Sequence, residues 1–169
     1  KMAADNVRLL AKEDYDYLLF LCPTCATTAR DEWTRLLADD PELSKETNRI
    51  AKKITDVSDF LCNILQLKPP TVSLDTTVTY HDSCHLARGL KLTNEPRNLL
   101  KAIDGVKLVE MADPDACCGF GGSFSVYYYE LARSINEEKI KDILQTGADT
   151  VITGCPGCMI HIADGIDHA

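Results

Sequence analysis

Apolar positions along the chain alternate between two periods, and the alternation predicts the elements. Met2, Val7 and Leu10 fit the end of a helix over residues 1–13. Tyr15 to Leu21 is a short apolar run with the length of a buried strand. A helix carrying Ala29, Trp33, Leu36 and Leu37 is predicted next, ending before Pro41. Ile50, Ile54, Val57, Leu61, Ile64 and Leu65 then keep a helical spacing, predicting one long helix from about Ser44. Leu67-Lys68-Pro69-Pro70 is the clearest punctuation and divides the chain into units 1–68 and 71–169.

Beyond that point strand and helix alternate. Thr77 to His81 predicts a strand, and a helical stretch follows from Cys84 to about Ile103. Val106 to Met111 predicts a second strand. A helix with Leu131, Ala132, Ile135, Ile140, Ile143 and Leu144 closes at Gly147. Thr150 to Thr153 is a third strand, and Cys155 begins a last helix. This order predicts an α/β fold: a Rossmann-like parallel sheet with covering helices.

A weak internal repeat sharpens the picture. At an offset of 133 residues Asp16 matches Asp149, Cys22 matches Cys155, Pro23 matches Pro156 and Cys25 matches Cys158. Met2, Val7 and Leu10 likewise match Ile135, Ile140 and Ile143. Two copies of one α/β unit are therefore expected, the first starting inside its helix as though this were the C-terminal part of a longer protein.

Composition changes the picture at one point. Hydrophobic residues at 45% and charged residues at 26% are ordinary for a soluble globular chain. A net charge of −8 argues against a nucleic-acid partner. No apolar run approaches the length of a membrane span, and no signal segment opens the sequence. The unusual feature is eight cysteines, at 22, 25, 62, 84, 117, 118, 155 and 158. Disulfide scaffolds are usually shorter and loop-rich, whereas this chain is strongly patterned with clustered cysteines, which points to metal or redox chemistry.

In the second unit, 32 residues separate Cys84 from Cys117, 36 separate Cys118 from Cys155, and Cys155 and Cys158 form a C-x-x-C. Each cluster follows a predicted strand, and parallel strands put their carboxyl ends on one edge, where open α/β sheets place their sites. Five thiols can thus converge on one pocket. Cys155 and Cys158 at a helix start favour thiolate. Gly119, Gly121 and Gly122 allow close backbone approach and can aim N–H groups at an anion. A disulfide between neighbouring Cys117 and Cys118 would be strained, because adjacent Cα atoms are only about 3.8 Å apart.

The arrangement Cys84-x32-Cys117-Cys118-Gly119-x35-Cys155-x2-Cys158 resembles the cysteine-rich "CCG" domain. That domain occurs in heterodisulfide reductase, in iron–sulfur subunits of glycolate oxidase and lactate utilisation, and in anaerobic glycerol-3-phosphate dehydrogenase. His81-Asp82-Ser83-Cys84-His85-Leu86 and Cys117-Cys118-Gly119-Phe120-Gly121-Gly122-Ser123-Phe124 are most similar to the lactate and glycolate branch. The resemblance implies one complete CCG unit, 71–169, preceded by the C-terminal part of another, 1–68. It implies an iron–sulfur cluster of 4Fe-4S composition, noncubane in heterodisulfide reductase, with zinc in some relatives. Cys84, Cys117, Cys118, Cys155 and Cys158 become the expected ligands, with Gly119, Gly121 and Gly122 beside the cofactor. Cys22 and Cys25 match the end of a first ligand motif.

What the resemblance implies for function is an electron-transferring subunit of an oxidoreductase for a 2-hydroxy acid, lactate or glycolate. Electrons would pass between a flavoprotein dehydrogenase subunit and a quinone or other acceptor. The expected location is cytoplasmic, or at the inner face of the membrane through partner subunits. The C-x2-C-x2-C-x3-C-P ferredoxin run that feeds electrons in this family is absent from the sequence, so activity of the whole is not expected of this chain alone. The alternatives are a cluster that itself reduces a disulfide, and a zinc-binding structural or thiol-exchange module.

Plainer readings stand beside these. Cys62 fits a packed core thiol. His81 and His85 flank Cys84 closely enough to ligate or donate, yet a strand-to-helix turn alone would place them there. Arg88 reads equally as a charge-balancing group and as a solvated helix arginine. His161 lies one turn after Cys158, and the glycine run lacks the lysine of a phosphate loop. Tyr127-Tyr128-Tyr129 reads as core and surface packing.

Overall fold

The computed structural model describes residues 1–68 and 70–169. Pro69, part of the predicted punctuation, lies outside the described residues. The first half runs α1 (Met2–Leu10), β1 (Leu18–Phe20), α2 (Pro23–Thr27), α3 (Trp33–Leu36), α4 (Leu43–Ala51), β2 (Ile54–Asp56) and α5 (Val57–Asp59). A wider π turn, Thr28–Glu32, joins α2 to α3, and another, Phe60–Ile64, extends α5. The second half runs β3 (Ser73–His81), a π turn (His85–Leu90), α6 (Asn94–Lys101), β4 (Asp104–Leu108), α7 (Phe124–Tyr127), α8 (Tyr129–Gln145), β5 (Thr150–Thr153) and α9 (Pro156–Asp167).

The fold class is the one predicted: parallel sheets flanked by helices. β1 pairs with β2, Leu18 opposite Ile54, while β3 lies between β4 and β5. Val78 faces both Leu108 and Thr150, and His81 faces Thr153. The three strands of the second sheet therefore end at one edge.

Several predicted elements need correction. The long helix from Ser44 is broken, because Lys52–Lys53 turns the chain and Ile54–Asp56 pairs with β1. Branched Ile54 and Thr55 suit a strand, and the tertiary partner overrides a helical spacing that local pattern alone favours. The Asp56 carboxylate then accepts from the Ser58 N–H at 2.8 Å and restarts a helix. The stretch from Cys84 to Ile103 is likewise two pieces, ended at Lys91 by a left-handed φ of 65°. The second strand stops at Leu108 rather than Met111, and Met111 enters the core. Tyr127, Tyr128 and Tyr129 are surface residues, not core, as are Leu36, Leu131 and Leu144. Cys62 is only half-buried, its thiol donating to the Glu95 carbonyl at 3.3 Å.

Two cores result. Val7, Leu43 and Ile50 are buried together against Leu18, Trp33, Leu37 and Ile54. In the second half Met111, Ile140, Ile143 and Ile162 enclose Cys118, Cys155 and Cys158, with Phe120 and Val151 packed alongside. Each fully buried aliphatic side chain contributes about 1.5–3 kcal/mol relative to exposure. Three thiols thus belong to the hydrophobic core itself.

Candidate metal centre

Chain segments at the carboxyl ends of β1, β3, β4 and β5 surround a cavity of about 430 Å³. Cys22, Cys25, Cys84, Cys117, Cys118, Cys155 and Cys158 all line it, with His81, His85, Gly121 and Gly122. The five predicted ligands are therefore brought together, and the C-x-x-C of the first half joins them at the same opening. All eight cysteines are free thiols. Gly119 does not line the cavity. Its φ of +89° and the Ala132 carbonyl, which crowds the place where a Cβ would stand, make it the point where the loop presses on α8. Its N–H still donates to the Cys117 sulfur at 3.3 Å.

The sulfurs form a string across the cavity. Cys84 lies near Cys117, Cys117 neighbours Cys118, Cys118 neighbours Cys158, and Cys158 neighbours Cys155. Cys155 approaches Thr24 and Cys25 of the first half. Hydrogen bonds from Cys117 and Cys158 hold the Cys118 thiol far below its ordinary range, against its burial. The same contacts push Cys158 and Cys117 upward, since a donor to a thiolate must keep its proton. Cys155 is lowered to about 5, first by Cys158 and then by the backbone N–H groups of Cys158 and Gly157 at the helix start. Such a row keeps some thiols protonated until a cation replaces the shared protons.

Residues that the sequence reading missed hold this arrangement. Arg97 grips Asp82 through two bonds of 2.8 and 2.9 Å, reaches Glu110 at 2.8 Å, and lies over the Tyr80 ring. The grip fixes the His81–Cys84 turn to α6 and to the segment that follows β4. On α8, Asn136 donates to the Cys118 carbonyl at 3.0 Å and to the His161 carbonyl at 3.1 Å. Lys139, with 0% side-chain exposure, donates to the Asp113 carbonyl at 2.5 Å and lies 3.7 Å from Asp142. Asp142 accepts from the N–H groups of Ala112 and Asp113 at 2.8 and 3.0 Å. One visible signal existed: Asn136 and Lys139 interrupt the apolar face that carries Ile140 and Ile143, and polar groups on such a face need partners.

The histidines separate. His81 is 1% exposed, and a ring nitrogen lies within 4.8 Å of both the Cys118 and Cys158 sulfurs. Its Nδ1 has no hydrogen-bond partner in the structure. His85 Nδ1 stands 3.1 Å from Thr24 Oγ1 and 3.6 Å from Cys84 Sγ, bridging the two halves. His161 packs against Phe120, ring centres 6.0 Å apart, behind the Gly119 loop. Arg88 pairs with Asp115 at 3.0 Å on the surface.

Comparison with known proteins agrees with this geometry. A family profile described as a cysteine-rich domain, CCG, matches residues 78–163. The chain belongs to the CCG family. Relatives include lactate utilization protein A of Shouchella clausii, 36% identical over 154 residues, covering 91% of this chain and 64% of the relative. A dihydromethanophenazine:CoB–CoM heterodisulfide reductase subunit of Methanosarcina barkeri is 34% identical over 99% of this chain and 40% of its own length. An uncharacterized iron-sulfur protein of Methanococcus maripaludis is 36% identical over 95% of this chain and 29% of its own. The chain thus spans about two-thirds or less of the length of these relatives.

The donor set fits a metal cluster. Five thiols face one cavity, and the buried, unpartnered Nδ1 of His81 and Oγ of Ser83 are polar groups for which the protein alone provides no partner. Among the described residues no helix is long and apolar enough to cross a membrane.

Proposed function

We propose that Cys84, Cys117, Cys118, Cys155 and Cys158 hold an iron–sulfur cluster, and that the chain is part of an electron-transferring subunit of a 2-hydroxy-acid oxidoreductase. The observation that carries this reading is the convergence of five thiols from three strand ends on one cavity. Similarity to lactate utilization protein A favours lactate, with glycolate as the neighbouring choice. When bound, an iron–sulfur cluster accepts and releases single electrons.

The chain's own residues supply the rest. Cys118, Cys155 and Cys158 sit in an apolar core that limits water access on the inner side. The N–H groups of Gly119, at Cys117, and of Gly157 and Cys158, at Cys155, stabilise negative charge on sulfur. Hydrogen bonds to sulfur and low solvent exposure are the levers that set such a potential. The cavity's outer side, where Cys84 and Cys25 are exposed, is the approach for an electron donor. A flavoprotein dehydrogenase is the proposed donor and a quinone or other carrier the acceptor, at the cytoplasmic side. Residues 1–68 are the end of a first CCG unit, with Cys22 and Cys25 as part of its ligand set, and 71–169 are the second.

Anaerobic reconstitution tests this reading. Stoichiometric iron and sulfide with a broad visible absorbance are expected. Refolded protein that binds neither sinks it. Similarity to the heterodisulfide reductase of Methanosarcina barkeri across 99% of the chain favours a second reading, in which the same site reduces a disulfide. Turnover of a small disulfide by the full-length, reduced protein separates the two.

A further inference from the structure

The two halves carry the same elements in the same order. α1, β1 and the helical run 23–36 correspond, at the 133-residue offset, to α8, β5 and α9. Leu18 of β1 packs on the core that holds Val7 of α1, and their counterparts Val151 and Ile140 share one core in the second half. α1 and α8 therefore cover matching faces. What lies on top of that face differs. In the first half α4 buries Leu43 and Ile50 with Val7, and the chain then enters β2, which pairs in parallel with β1. In the second half a groove of about 440 Å³ runs between α8 and α9 at the same place. Ile140, the counterpart of Val7, lines it, as does Leu144, which is 57% exposed.

The sheets differ in the same way. Parallel crossovers are right-handed. The crossover from β4 through α8 to β5 passes over β3, which leaves β3 on one edge of β5. The crossover from β1 to β2, with its helices on the matching face, puts β2 on the opposite edge of β1. Among the described residues β5 pairs with β3 alone. Its other edge, the one that matches the β2 side of β1, is free, and a free edge is ready to accept a strand.

We propose that the α8–α9 groove and the free edge of β5 dock a helix–strand segment built like Leu43–Asp56, supplied by the same polypeptide beyond residue 169. Its helix presents apolar residues about two turns apart, as Leu43 and Ile50 do. Its strand is short and parallel and opens on branched residues, as Ile54–Asp56 does. The source follows from connectivity: in the first half a short link, 37–42, joins α3 to α4, and the repeat gives α9 the same continuation. Ile140 and Ile143 belong to the core that encloses Cys118, Cys155 and Cys158, so the docked helix closes the outer wall of that core against water. The surface is independent of what the thiols bind.

Hydrogen exchange of the monomeric full-length protein, read at single residues, tests this. The amides of Thr150–Thr153 that face away from β3 are expected to exchange at least about a hundredfold slower than unprotected amides, at rates independent of protein concentration. Leu144→Arg sets a charge under the docked helix and speeds their exchange at least about tenfold. Leu131→Arg is the control. Leu131 is 55% exposed on the same helix but stands outside the groove, and its replacement leaves the rates within about twofold. Unprotected β5 amides in the wild type overturn the proposal, as does a polypeptide that lacks such a segment. Equal effects of the two arginines overturn the groove as the seat of the helix. Protection that appears only at high concentration, or only with a second protein, overturns the same-polypeptide source. If Leu144→Arg fails to fold, the wild-type rates decide.

Discussion

Two C-x-x-C turns, Cys22–Cys25 and Cys155–Cys158, begin from nearly the same backbone. Cys22 has φ −131° and ψ 109°, Cys155 has φ −112° and ψ 118°, and each is followed by proline in the first turn of a helix. Their surroundings differ. Cys25 is exposed and Cys158 is buried. Thr24 reaches across to His85, whereas Gly157, its counterpart, lies under the Phe120 ring, which is 2.5 Å from where a Cβ would stand. The preceding helices diverge in the same sense. Asn136, Lys139 and Asp142 of α8 hold the loop carrying Cys117 and Cys118, and their α1 counterparts are Ala3, Asn6 and Leu9. A local motif therefore prepares a thiol pair, and the loop packed against it decides whether that pair meets other ligands.

The sharpest break of this comparison is at the sulfurs. Cys158→Ser is expected to remove all iron and sulfide from the five-cysteine site, whereas Cys25→Ser leaves that site filled. Metal and sulfide analysis after anaerobic reconstitution checks both. If Cys25→Ser also empties it, the two turns serve one centre and the contrast fails.

Next in size is the helix that supports the loop. Asp142→Leu, which copies Leu9 into α8, leaves Lys139 buried without its carboxylate and frees two backbone N–H groups. A loss of about 3 kcal/mol in unfolding free energy is expected by denaturant titration. Lys139→Met should cost less, because an apolar chain of similar length fills the space.

Exchanging the turn residues gives smaller effects. Gly157→Thr drives a side chain into Phe120 and should cost about 1–3 kcal/mol. Thr24→Gly removes the contact to His85 and adds backbone freedom at a helix start, about 1 kcal/mol by the same titration. Equal losses would show that the Phe120 loop does not distinguish the two turns.

The smallest effect is expected at Leu9→Asp. Leu9 is 62% exposed, and the change should stay within about 0.5 kcal/mol. Paired with Asp142→Leu, it measures how much of one polar position depends on the loop above it.

The α/β class, the strands around Thr77–His81 and Thr150–Thr153, the α8 helix with its Gly147 stop and the five clustered thiols were all legible in the chain. Each depends on local period or on spacing after a strand. Less legible was the break of the helix at Ile54–Asp56. A helical apolar spacing there is compatible with either state until β1 is alongside. His81 was visible beside Cys84 as a residue able to ligate or donate, but its role was not, since a histidine before a turn carries the same letter whether it is a packed ring or a donor.

By itself, the sequence determined which residues could be ligands and at which ends of which strands they stand, because thiol chemistry and strand alternation are written in the order of residues. Only the tertiary structure decided which donors meet. Parallel pairing brought three strand ends to one edge, α8 pressed the Cys117–Cys118 loop inward, and the first half added its own thiols at the opening. Distances between side chains far apart in sequence are set by packing, and packing placed His81 within reach of two sulfurs.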